Sequence, residues 1–86
     1  MWFANEMDKK LIENSHKSGW ANCTLQYLSM RLTQERKELA RAIKSKDKRN
    51  IISECVDIAN FAMMIADNMK VQLDDEETDI NGDLTI

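Results

Sequence analysis

One segment, IISECVDIANFAMMIADNM at residues 51–69, constrains this chain more than any other. Wound as a helix at about 100° per residue, it places Ile51, Ile52, Cys55, Ile58, Ala59, Ala62, Met63, Ile65, Ala66 and Met69 over half the circumference, with no polar side chain among them. The other half holds Ser53, Glu54, Asp57, Asn60, Asp67 and Asn68, interleaved with Phe61 and Met64. A helix this apolar must pack against something. Yet from Ser53 to Asn68 it carries carboxylates and no Lys or Arg, although RAIKSKDKR lies just upstream. A solvated face mixes charge signs, whereas this one is acidic or neutral and reads as half-buried, awaiting a cation.

The rest of the chain is organised to serve that helix. With no proline, two glycines, 43% hydrophobic and 31% charged residues, the composition predicts an all-α fold. A first helix is expected from Trp2 to Glu13, with Phe3, Met7 and Leu11 forming one stripe. The turn-forming run NSHKSGW ends it. A second helix, capped by Asn22 or Thr24, should reach about Lys44, and SKDKRN should link it to a third helix capped by Asn50 and running from Ile51 to about Leu73. Residues 1–73 then make one helical domain, an antiparallel hairpin plus the short N-terminal helix. Residues 74–86 read as an acidic, mobile tail; Glu77, Asp79, Asn81 and Gly82 imitate the front of a calcium loop that lacks its final glutamate. A chain of 86 residues buries only about 60–65% of its unfolded surface. A homodimer or tetramer that completes a four-helix bundle is the expected remedy.

Several classes are disfavoured. A net charge of −3 with no concentrated basic face argues against binding a nucleic-acid duplex. Cys23 and Cys55, with His16 beside them, are too few for a disulfide framework or a zinc site and suit a reducing cytoplasm. The N-terminus has charges where a signal peptide needs apolar residues, and no run approaches the length of a membrane span.

The second helix contains a conflict. Leu25, Leu28, Leu32, Leu39 and Ala42 form its seam, and the same seam passes through Glu35, with Glu38 three residues on. An unpaired carboxylate there would cost several kcal/mol, so it needs a cation, a donor or a proton. Arg31 could serve Glu35, and Arg41 could serve Glu38, on a wet face. Glu54 and Asp57 form a second pair with the same spacing. Packed helices would bring the two pairs together, where oxygen ligands without His or Cys favour Mg²⁺ or Mn²⁺. A lysine at that spot would compete with the metal.

ERKE at 35–38, fifteen intervening residues, then ECVD at 54–57 and DIANFAMMIADN resemble the signature of the MazG-like all-α nucleoside triphosphate pyrophosphohydrolases, in a short, phage-type form. The resemblance covers about Trp20 to Asn68. It implies hydrolysis of a ribo- or deoxynucleoside triphosphate to the monophosphate and pyrophosphate, with Glu35, Glu38, Glu54 and Asp57 holding Mg²⁺ and Glu35 or Glu38 accepting a proton from water. Asn60 could donate to a phosphate or sugar hydroxyl, His16 and Lys17 could reach phosphate, and Trp20 could stack on a base. The competing reading is a non-enzymatic helical interaction protein with a degenerate metal site. It accounts for the acidic charge and leaves Glu35 in an apolar seam unexplained.

Overall fold

The computed structural model of the chain describes residues 1–13 and 23–84, with side chains described at 1–13 and 23–77. These residues form three helices, α1 (Trp2–Glu13), α2 (Leu25–Ser45) and α3 (Lys48–Leu84), and no strand. Of the two expected caps, Thr24 caps α2, with an extended backbone and an Oγ1 that accepts the Tyr27 N–H at 3.0 Å, and Asn22 lies outside the described residues. Two residues separate α2 from α3. Lys46 takes a left-handed conformation, φ 60°, from which its N–H reaches Ile43 O at 3.1 Å.

The start and end of α3 both differ from expectation. Asp47 is its cap in place of Asn50, because Asp47 Oδ1 accepts the Asn50 N–H at 3.2 Å and so satisfies a donor of the first turn. The helix continues past Leu73 to Leu84. No proline interrupts the acidic run, and Lys70 pairs with Asp74 at 2.7 Å one turn on. At about 1.5 Å per residue, 37 residues of α3 outrun 21 of α2 by roughly 24 Å. Every described residue from Lys70 to Glu77 is exposed.

α3 packs against both other helices. The α2 side chains that become buried are Leu28, Glu35 and Ala42, spaced by seven residues and therefore on one line along the helix. Leu32 and Leu39 flank that line half-buried, and Leu25 is exposed. Among the described residues the fully apolar core is small: Leu28, Ala42 and Val56. No α1 residue is buried outright, although its stripe of Phe3, Met7 and Leu11 is half-buried.

The apolar half of α3 is only partly used within one chain. Ile51, Cys55, Ile58, Ala59, Met63 and Ile65 are half-buried, while Ile52, Ala62, Ala66 and Met69 are exposed. The deepest α3 side chains are Val56 and Asn60, because α1 approaches from the Ser53, Asp57 and Asn60 side.

Candidate metal centre

Glu35 projects from the buried line of α2 toward α3. It is 5% exposed, as its place between Leu28 and Ala42 predicts. Arg31, one turn back, donates to Glu35 Oε1 at 3.2 Å, while its other amino group holds Gln34 at 2.6 Å. The Arg31 guanidinium also lies over the Phe61 ring of α3, 5.2 Å from the centroid. The second oxygen, Glu35 Oε2, is buried without a hydrogen-bond partner, and so is Oε2 of Glu54.

Three carboxylates converge here. Glu35, Glu38 and Glu54 each offer an oxygen within 4.8 Å of the others, graded from the buried Glu35 through the half-buried Glu54 to the exposed Glu38. Such crowding disfavours ionisation. Burial, reinforced by Glu38, Asp57 and Glu54, raises the Glu35 carboxyl to about 7. Glu54 is raised too, chiefly by burial and then by the charges of Glu38 and Asp57, while the neighbouring Glu35 carboxyl pulls the other way. Among the described residues, no donor reaches Oε2 of Glu35 or Oε2 of Glu54.

Asp57 lies beside this trio and is served differently. Both its oxygens accept from Lys10 Nζ of α1 at 3.0 Å, and Lys10 also donates to Ser53 Oγ at 2.6 Å. The cation missing from α3 is therefore supplied to Asp57 by another helix. Sequence reading overlooked Lys10, although a signal was present: three residues after Met7, it flanks the apolar stripe of α1. Asn60 is 4% exposed, donates to Met7 O at 3.3 Å and keeps a buried, unpartnered Oδ1. It ties α1 down, so contact with a phosphate or sugar would require that tie to be exchanged. His16, Lys17 and Trp20 lie outside the described residues.

The sequence model described as Phosphoribosyl-ATP pyrophosphohydrolase matches residues 3–81, which include all three helices in large part and every carboxylate above. The chain belongs to this family. The phosphoribosyl-ATP pyrophosphohydrolase family lies within the MazG-like all-α superfamily that ERKE and ECVD resemble, and membership makes the chain a hydrolase of phosphoric anhydrides. Comparison with curated proteins and with solved structures gives no match. Among the described residues no helix is long and apolar enough to cross a membrane.

Proposed function

We propose that the chain is a Mg²⁺-dependent nucleotide pyrophosphohydrolase acting on a ribo- or deoxynucleoside triphosphate moiety, with Mn²⁺ able to replace Mg²⁺. The observation that carries this reading is the buried Glu35, whose orphaned Oε2 lies in a cluster with Glu38 and Glu54. An oxygen-only donor set fits a hard divalent cation. Charge fits as well. Arg31 offsets one of the three carboxylates Glu35, Glu38 and Glu54, and the two negative charges left match one divalent ion.

Glu35, Glu38 and Glu54 would hold the ion, with Asp57 completing the set. Bound there, it would neutralise phosphate oxygens and acidify water. Attack of water on the α-phosphorus forms one P–O bond, breaks the bridge to the β-phosphate and releases pyrophosphate. Glu35 or Glu38 would accept the proton from that water, and the exposed Glu38 can return it to solvent. His16 and Lys17 would contact phosphate and Trp20 would stack on the base, with Asn60 as a further donor once freed from Met7. The antiparallel α2/α3 hairpin would be completed as a four-helix bundle by a second copy covering Ile52, Ala62, Ala66 and Met69. A cytoplasmic setting and no duplex nucleic-acid partner belong to the same reading.

The test is pyrophosphate release from a panel of ribo- and deoxynucleoside triphosphates and phosphoribosyl-ATP, with Mg²⁺ and with EDTA. Metal-dependent release from at least one member is expected. Inactivity on all of them would favour the interaction-protein reading.

A further inference from the structure

Asp57 is held by a cation from outside α2 and α3. Lys10 reaches it across the sequence from α1, contacts both carboxylate oxygens at 3.0 Å and takes Ser53 Oγ at 2.6 Å and Ser53 O at 3.4 Å besides. Its side chain and that of Asp57 are each about a quarter exposed, so the pair is partly withdrawn from water. A Coulomb contact at this depth is stronger than at an open surface. A compact ammonium seated on two carboxylate oxygens takes up the lone pairs that a divalent ion would use.

We infer that Lys10 is a built-in counter-cation that withholds Asp57 from the metal, so that a divalent ion can recruit Asp57 only by displacing Lys10. This rests on the metal-binding reading above and adds to it a positioning residue that sets the site's affinity. The structure provides for the displacement. An open groove of about 250 Å³, lined by Glu6, Lys10, Arg49, Ile52, Ser53 and Val56, adjoins the pair. Glu6 lies one helical turn before Lys10, where an i, i+4 ion pair can form, and it now pairs with the well-exposed Lys9 at 3.1 Å. Lys10 therefore has a second anion within reach on its own helix. By linkage, whatever Lys10 gains from Asp57 in the metal-free protein must be surrendered when the ion arrives.

The experiment is a Mn²⁺ titration of the intact protein, reading free Mn²⁺ by electron paramagnetic resonance. It compares wild type, Lys10→Met, Lys10→Arg, Asp57→Asn and the Lys10→Met/Asp57→Asn double variant, each first checked for helicity. Lys10→Met should bind Mn²⁺ about tenfold more tightly than wild type, within the usual range of coupling between two sites. Lys10→Arg, which keeps the charge, should stay near wild type. The gain should vanish in the Asp57→Asn background, because the effect runs through that carboxylate. Equal isotherms for wild type and Lys10→Met would overturn the inference, and so would a gain that survives in Asp57→Asn. Absence of Mn²⁺ binding in every folded form would instead remove the metal reading itself and the inference with it.

Discussion

Glu35 and Asp57 belong to one constellation and sit on helices packed against each other, yet their surroundings differ in two respects. Glu35 is 5% exposed, receives one donor from Arg31 and keeps a buried oxygen unsatisfied. Asp57 is about a quarter exposed, and Lys10 satisfies both its oxygens. Depth and cation supply together separate a carboxylate that still seeks positive charge from one already neutralised. The same chemical group, a carboxylate, thus destabilises the metal-free fold at one position and fastens a helix at the other.

The sharpest way to break this contrast is to replace Glu35. Glu35→Leu should lower turnover by about two to three orders of magnitude, the range for losing a group that acts mainly in the transition state. In EDTA the same variant should be at least as stable as wild type by urea midpoint, since leucine continues the Leu28–Ala42 line and removes crowded charge. Retained turnover would take Glu35 out of the site.

Next in size is a pH effect on the metal-free protein. The Glu35 carboxyl is raised from 4.5 to about 7 in the fold, so between those values the native state binds more protons than the unfolded chain. Stability contributed by that proton is fully present below about 4.5 and is lost as pH rises through about 7. The loss is at most about 3 kcal/mol at 1.36 kcal/mol per unit. Urea midpoints in EDTA, wild type minus Glu35→Gln, should show this fall; a flat difference would mean that the carboxyl ionises normally.

Asp57 should behave in the opposite sense. Asp57→Asn removes a partly exposed ion pair and should destabilise the metal-free protein by about 1 kcal/mol, the upper end for such pairs. Raised salt should shrink that cost. The measurement is the urea midpoint of both proteins at low and high NaCl. If Asp57→Asn stabilised as Glu35→Leu is expected to do, the two carboxylates would be equivalent after all.

The smallest effect is a control remote from both groups. Lys46 is the residue with positive φ outside glycine among those described, and Lys46→Gly should raise stability by about 0.5–1 kcal/mol by removing the clash of a side chain in the left-handed region. Mn²⁺ affinity should not change with it. Movement of both would indicate that the connection between α2 and α3 also shapes the centre.

Much of this was legible from spacing. Glu35 falls on the line of Leu28 and Ala42 in sequence as in space, and a heptad step suffices to place it. The Thr24 cap and the half-buried stripe of Phe3, Met7 and Leu11 follow from equally local rules. Asp47 displaced Asn50 as the cap because both residue types can cap and the choice depends on where the preceding turn closes. The end of α3 is not legible in the sequence because an acidic run offers nothing to bury, whereas no proline stops the helix and the Lys70–Asp74 pair supports its continuation. Lys10 was the larger omission. It meets Asp57 across 47 residues of chain, and helical periodicity says nothing about which face one helix turns toward another.

The overhang of α3 bears on how the molecule tumbles. Its extents are 61 × 25 × 24 Å, and a 37-residue helix of about 55 Å can lie only along the long dimension. Amide N–H bonds in an α-helix run nearly parallel to its axis, so those of α3 are reoriented mainly by slow end-over-end rotation. In ¹⁵N relaxation they should share one raised ratio of transverse to longitudinal rates. The residue at which that ratio begins to fall, somewhere beyond Met69, marks where the projecting helix stops moving as part of the rigid body.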